Sequence, residues 1–156
     1  MREKSNIIVG VAMSLFTAVG IFLLFLTMFS NGKFGMERGS GYAVIFGTAQ
    51  GGSLNPVPLL IVAFVVECVA ILGAIVGAAL VGKAQGIALG ATGILLIACA
   101  IAFLFSVPLY KNANMAIISE NAESLELGAA PICNAIFAII AGVLGLYGGY
   151  KGFKAQ

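Results

Sequence analysis

One carboxylate in an apolar stretch is the side chain of this sequence best placed for chemistry. Glu67 lies near the middle of Leu59–Val81, which reads LLIVAFVVECVAILGAIVGAALV. That stretch is long enough to cross a bilayer, which takes about 20 apolar residues. An ionised carboxylate at mid-bilayer is costly, so Glu67 needs a partner, a water-filled cavity or a proton.

The partners available to Glu67 are few. No lysine, arginine or histidine lies inside an apolar stretch, so no basic side chain can pair with it there. Judged by helical rise, Thr17 lies at a similar depth, whereas Asn134 is expected nearer the outer surface and would reach Glu67 poorly. Three interpretations remain open. The first is a protonated Glu67 bonded to Thr17 or to a backbone carbonyl, and the second is an ion or proton site at Glu67 and Thr17 that lines a cavity or an oligomer axis. The third is a contact with another membrane protein.

Charged residues in the two long polar connections form a second candidate site, for binding a partner. Glu120, Glu123 and Glu126 are spaced three apart, which places them near one face of a short helix. Lys33 and Arg38 lie in the other connection. Opposite charges there would hold an outer cap together or bind a partner, and the alternative is a solvated acidic face.

The composition defines the class of protein. The chain is 61% apolar and 9% charged, whereas soluble domains carry roughly 25% charged residues. We therefore predict an integral membrane protein with one domain, residues 1–156. A net charge of +2 is too small to indicate nucleic-acid binding, and the cysteines Cys68, Cys99 and Cys133, all in apolar stretches, do not indicate a disulfide framework.

Nothing in the residue types indicates an enzyme. Without histidine or aspartate the chain lacks the commonest general base and the commonest transition-metal ligand, and no cofactor or metal is predicted. No serine, cysteine or glutamate has a spacing that suggests an activated nucleophile.

The apolar stretches predict an all-α membrane fold, an antiparallel bundle of four transmembrane helices. The positive-inside rule favours cytoplasmic termini, because five of the basic residues fall on the side of the termini. The helices are expected at about residues 6–29, 58–81, 87–107 and 131–150, with outer connections at about 30–57 and 108–130 and a tight link at 82–86.

The outer connections are expected to form a small extracellular cap. Tyr42–Phe46 has the composition of a strand, and Lys33–Met36 is its candidate partner in a short β-hairpin. Met115–Ile118 is a further possible strand.

Small residues at four-residue spacing predict where the helices pack, because close approach over small side chains drives helix association in lipid. The fourth helix has a second small row, which favours an additional partner and hence a homo-oligomer; the alternative is that glycine is simply frequent in membrane helices. The first rows are Gly10, Ser14 and Ala18; Gly73 and Gly77; Gly86 and Gly90, after Gly82; and Ala141, Gly145 and Gly149. The second row is Ala138, Gly142, Gly148 and Gly152.

Two resemblances bear on function. Residues 66–73, VECVAILG, resemble the carboxylate helix of the rotary ATPase proteolipid ring subunit, which implies an ion-carrying Glu67 in an oligomeric ring. The match covers eight residues, and the glycine-rich first helix of that family is absent from residues 9–22, VGVAMSLFTAVGIF.

The layout of the whole chain resembles the small tetraspan membrane proteins, claudin-like in topology. The tryptophan and the two loop cysteines of the claudin signature are absent, so sealing between cells is not implied. Many bacterial membrane proteins share the plan, and a bacterial plasma membrane is the predicted location. The leading functional prediction is a non-enzymatic protein that self-associates, or scaffolds or binds a partner in the membrane. The alternative is a channel, or an ion- or proton-coupled transport subunit, that uses Glu67.

Overall fold

Four long helices dominate the computed structural model, which describes residues 2–31, 38–47, 55–114 and 125–154. Each is long and apolar enough to cross a membrane, and the chain is an integral membrane protein. In chain order the elements are α1 (Arg2–Phe22), β1 (Thr27–Asn31), β2 (Arg38–Ser40), α2 (Gly41–Phe46), α3 (Pro58–Ala79), α4 (Gly82–Leu104), α5 (Ser106–Ala113), β3 (Leu125–Leu127) and α6 (Ala129–Lys154).

The four long helices form an antiparallel bundle, as predicted. Each helix packs on the next, in the cyclic order α1, α3, α4, α6, with α6 returning to α1. As a result, α1 lies diagonally opposite α4, and α3 lies diagonally opposite α6. The ends of α1 and α6 that carry the chain termini lie together, where the Lys151 ammonium donates to the Ser5 hydroxyl at 3.3 Å.

The turn between α3 and α4 is tighter than the sequence suggested. Only Leu80 and Val81 separate the two helices, and the predicted link at 82–86 is the first turn of α4. Gly82 has a φ of 66°, a left-handed conformation that glycine adopts without steric cost. A glycine at this position therefore lets the chain reverse within two residues.

A cap lies at the end of the bundle opposite the chain termini, which we call the outer end. It contains a three-stranded sheet in the order β2–β1–β3, with antiparallel pairing on both sides of β1. The first helix is shorter than predicted: α1 ends at Phe22, a 3₁₀ turn follows, and the chain enters β1 at Thr27. The proposed hairpin partner at residues 33–36 and the possible strand at 115–118 lie outside the described residues.

The prediction of a strand at Tyr42–Phe46 is wrong, because this segment is helix α2. The Ser40 hydroxyl accepts from the Ala43 N–H at 3.3 Å at the start of the helix, and Gly47, with a φ of 72°, ends it. Capping at both ends therefore outweighs the strand preference of valine, isoleucine and tyrosine.

The cap is packed onto the bundle through an outer core cluster of apolar side chains. It joins the sheet and α2 to the outer ends of α3 and α4, and its members are Leu24, Met28, Phe29, Val44, Ile45, Val57, Leu60, Ala63, Cys99, Phe103, Tyr110, Leu125 and Ala130. Within it the rings of Phe29 and Tyr110 lie 4.8 Å apart. A second, inner core cluster lies towards the termini and consists of Val9, Met13, Ala70, Ala74, Leu89, Leu96 and Ala141.

The predicted small residues are where three of the helix pairs meet. A Cβ on Gly10 would lie 2.5 Å from the Ala78 Cβ, across the contact between α1 and α3. Between α3 and α4, a Cβ on Gly73 would lie 2.8 Å from the Thr92 hydroxyl oxygen, and one on Gly77 would lie 2.8 Å from Leu89. These glycines let the helices approach closely, as expected for packing in lipid.

The closest backbone approach in the bundle is between α4 and α6. A Cβ on Gly86 would lie 2.9 Å from the Gly149 carbonyl oxygen, and one on Gly145 would lie 2.8 Å from the Gly93 Cα. Gly90 is less crowded, with the Gly149 Cα 3.8 Å from its hypothetical Cβ. Gly93, which the predicted row omitted, is the most crowded of the α4 glycines.

Two of the packing predictions need correction. Ala18 is exposed, so within this chain the row on α1 ends at Ser14, whose hydroxyl donates to the Gly10 carbonyl. The second row on α6 is buried against α1 and α4: a Cβ on Gly148 would meet Val9, and one on Gly152 would meet Gly86. Because contacts inside the chain occupy both rows of α6, the second row gives no reason to expect another subunit.

Candidate functional site

Glu67 faces the interior of the bundle and not lipid. Its side chain is 1% exposed, while the next two residues, Cys68 and Val69, are exposed on the outside of α3. Ala63 and Ala70, one turn to either side on the same face, are also buried. Their small side chains leave room for the carboxyl group between the helices.

The hydrogen-bond partner of Glu67 is Asn134. The Asn134 Nδ2 donates to the Glu67 Oε2 at 3.0 Å, and the Asn134 side chain is also 1% exposed. The bond joins α3 to α6, the two helices that face each other across the bundle. We call these two side chains the cross-bundle pair.

The depth estimate that separated these residues is therefore wrong. Glu67 is nine residues from the start of α3, and Asn134 is five from the start of α6, an offset of about 6 Å if both helices began at one level. The contact between Glu67 and Asn134 therefore requires α6 to begin deeper in the bundle than α3 does. The Gly128 N–H donates to the Met28 carbonyl at 2.9 Å, which fixes the start of α6 to β1.

Thr17 is buried, but its hydroxyl bonds within its own helix and not to Glu67. Its hydroxyl donates to the Met13 carbonyl at 2.8 Å, within α1. Another residue of α1 does contact the site: a Cβ on Gly20 would lie 3.6 Å from the Asn134 Nδ2 and 3.2 Å from the Phe137 Cβ. Gly20 thus makes room for Asn134, a role that sequence reasoning missed.

The cross-bundle pair has two unpaired oxygens. Within the described residues, neither the Glu67 Oε1 nor the Asn134 Oδ1 has a hydrogen-bond partner, and both are buried. Buried polar atoms are normally paired, and an unpaired one costs roughly 1–3 kcal/mol. The site therefore has two acceptors and lacks a donor between them.

Packed apolar layers lie on both sides of the pair. The outer core cluster includes Ala63 and Cys99, one turn outward from Glu67, and the Cys99 thiol donates to the Ala63 carbonyl at 3.5 Å. The inner core cluster includes Ala70 and Met13 on the side of the termini. The carboxyl group is thus enclosed along the bundle axis as well as from lipid.

A second buried polar pair lies at the end of the bundle that carries the termini, and sequence reasoning missed it. The Asn6 Nδ2 donates to the Gln85 Oε1 at 2.8 Å, which joins the first turns of α1 and α4. Both side chains are 5% exposed. The signal available in the sequence was one amide side chain near the start of each of two spans, Asn6 and Gln85.

The charged residues predicted to bind a partner are only partly described. Glu126 is exposed on strand β3, where it pairs with Ser30, so the prediction that it lies on a helix is wrong. Arg38 begins β2. Lys33, Glu120 and Glu123 lie outside the described residues. Among the described residues, no three histidine, cysteine or acidic side chains are grouped as they would be at a metal site.

Five aromatic side chains form a continuous surface row at the outer end of α1 and α3, which we call the aromatic row. The ring centroids of Phe25 and Tyr42 lie 4.6 Å apart, and those of Tyr42 and Phe64 lie 5.7 Å apart. Phe22 and Phe25 are 67% and 66% exposed. The row consists of Phe22, Phe25, Tyr42, Phe64 and Phe46.

The aromatic row is held to the bundle by its central residue. The Tyr42 hydroxyl donates to the Ile21 carbonyl at 2.7 Å, which links α2 to the last turn of α1. Partial burial raises the pKa of Tyr42, so the phenol remains a donor. The row is thus a fixed part of the surface.

Comparison with known proteins adds no assignment. No protein-family model matches the chain, and no curated protein matches it significantly.

Proposed function

We propose that this protein is a non-enzymatic multi-pass membrane protein that self-associates, or scaffolds a partner, through the lateral surface of its bundle. The observation that carries the proposal is the enclosure of Glu67, which among the described residues is the one acidic side chain buried inside the bundle. Apolar clusters lie on both sides of this carboxyl group along the bundle axis, so the proposal does not place a substrate there. Function is therefore assigned to the outer surfaces, which contact lipid and other membrane proteins.

The aromatic row is the surface best suited to such a contact. Aromatic side chains are enriched at the centres of protein interfaces and supply a large share of their binding energy. The alternative role for exposed aromatics near the end of a span is to anchor the protein at the membrane–water interface. Tyr147 and Tyr150 lie near the C-terminal end of α6 and are 50% and 57% exposed. They provide a matched comparison for the aromatic row.

The wider setting in this proposal is a tetraspan protein in the plasma membrane of a bacterium, with the cap outside and both termini in the cytoplasm. The claudin-like layout and the excess of basic residues on the side of the termini support this orientation. Neither a cofactor nor nucleic acid has a role in it. The partner is a second copy of the chain or another membrane protein.

The proposal is tested by chemical cross-linking of the full-length protein in membranes. We expect the unaltered protein to give cross-linked dimers or larger species. In the double variant Phe22→Ala, Phe25→Ala the cross-linked fraction should fall roughly tenfold, which corresponds to a loss of about 1.4 kcal/mol of association free energy. The double variant Tyr147→Ala, Tyr150→Ala is the control and should cross-link like the parent. A parent that remains monomeric would contradict the proposal, and equal losses in both variants would remove the role of the aromatic row.

The second candidate function is a channel or an ion- or proton-coupled transport subunit that uses Glu67. The two unpaired oxygens of the cross-bundle pair favour it, because transported ions need such ligands. The 1% exposure of Glu67 and the apolar clusters on either side oppose it. Intramembrane carboxylates on transport pathways face water-filled cavities.

A further inference from the structure

The cross-bundle pair has one hydrogen bond and two buried oxygens that have no partner among the described residues. The Asn134 Nδ2 donates to one carboxyl oxygen of Glu67, and the other carboxyl oxygen and the Asn134 Oδ1 are both buried without a donor. A carboxylic acid and a primary amide can form two reciprocal hydrogen bonds: the amide N–H donates to the acid carbonyl, and the acid O–H donates to the amide carbonyl. A single proton on the free Glu67 oxygen would satisfy both orphaned atoms.

We infer that the cross-bundle pair is a proton-binding site, in which Glu67 is a neutral acid whose Oε1–H donates to the Asn134 Oδ1. The proton comes from water before the helices close around the carboxyl group. In this state the pair joins α3 to α6 by two hydrogen bonds and carries no net charge. The inference goes beyond the proposed function, because it holds whether or not the protein self-associates.

In the part of the chain that the structure describes, the surroundings of the pair offer no basic side chain that would stabilise a carboxylate. The apolar parts of the four spans contain no lysine, arginine or histidine. The other titratable groups whose charge would act on Glu67 are the Tyr42 phenol and the Cys68 and Cys99 thiols, and such groups are uncharged at neutral pH. On α1, Thr17 is buried and its hydroxyl donates to the Met13 carbonyl. A buried carboxylate without a partner charge is strongly disfavoured.

A proton fits the site better than a metal ion does. The hard cations that bind oxygen take about six ligands or more, whereas the described residues offer two unpaired oxygens here. The Gly20 face of α1 closes on Asn134, and the apolar clusters that include Ala63 and Ala70 lie on either side of Glu67. Two acceptors can share one proton with no further ligand.

Infrared spectroscopy of the full-length protein in lipid tests the inference directly. The other five glutamates lie in polar segments or next to the chain start, so the comparison with Glu67→Gln isolates the band of Glu67. We expect a carbonyl band of a protonated carboxylic acid at pH 7 that is absent from Glu67→Gln. Absence of that band from the parent would overturn the inference, and so would its loss when sodium is added at constant pH, which would mean that a cation replaces the proton.

The role of Asn134 has its own readout in the same experiment. In Asn134→Leu the acid O–H loses its acceptor, so the band should move to higher frequency. Asn134→Ser, whose side chain is too short to span the gap, should give the same shift if the leucine variant does not fold. A band that stays in place in the folded variant would overturn the assignment of Asn134 as the acceptor. Glu67→Gln should retain the thermal stability of the parent, because its amide can make both hydrogen bonds.

Discussion

Replacing Gly93 with alanine is expected to destabilise the protein by about 1–3 kcal/mol, the typical cost of overpacking a close contact. An added Cβ would lie 2.6 Å from the Gly142 carbonyl oxygen and 3.0 Å from the Leu146 nitrogen. Both are backbone atoms, so the methyl group can be accommodated only if α4 and α6 move apart. Reversible unfolding in mixed detergent micelles, followed by circular dichroism, measures the effect.

Gly90→Ala is the matched control for this prediction. Gly90 lies one turn away on α4, and its hypothetical Cβ meets only the Gly149 Cα, at 3.8 Å. Alanine there should leave stability unchanged or raise it by up to about 1 kcal/mol, because alanine favours helix over glycine. Equal destabilisation by both substitutions would contradict the close packing assigned to α4 and α6.

Breaking the cross-bundle pair from one side is expected to cost about 1–3 kcal/mol, because the remaining buried group loses its partner. Glu67→Met and Asn134→Leu each remove one partner while keeping a side chain of similar size. The double variant should be less destabilised than the sum of the two, with a coupling energy of roughly 0.5–3 kcal/mol. The same unfolding assay provides all four corners of the cycle.

Thr17→Val is the control for this cycle. Its hydroxyl bonds to the Met13 carbonyl in its own helix, so its removal should change stability little and should show no coupling to Glu67→Met. Coupling between positions 17 and 67, with none between 67 and 134, would contradict the observed pair. It would mean that Thr17, the partner predicted from depth along the helices, is the partner of Glu67.

The four spans could be predicted because membrane crossing requires long apolar stretches, and these are visible without knowledge of packing. The packing surfaces were also predictable, since glycine and alanine must lie where backbones approach. Which surface each of them packs against was not predictable. The second row on α6 suggested an additional subunit, but it packs against Val9 and Gly86 of the same chain. Composition does not distinguish a contact between subunits from a contact within one chain.

The site was predicted only in part, for two physical reasons. The importance of Glu67 follows from its charge in an apolar stretch, but its partner depends on where α6 begins relative to α3. That level is set by the sheet and by the Gly128 bond to Met28, neither of which can be read from residue spacing. Similarly, Tyr42–Phe46 has a strand composition, and the caps at Ser40 and Gly47 make it helical.

Ion flux in proteoliposomes tests the central claim that the interior at Glu67 is closed and structural. We expect vesicles containing the protein to take up protons or sodium no faster than protein-free vesicles under an imposed gradient, and Glu67→Gln to behave identically. Glu126→Gln, which alters an exposed carboxylate on β3, is the control. Uptake by the parent that is lost in Glu67→Gln and retained in Glu126→Gln would contradict the account and assign the carboxyl group to a transport pathway.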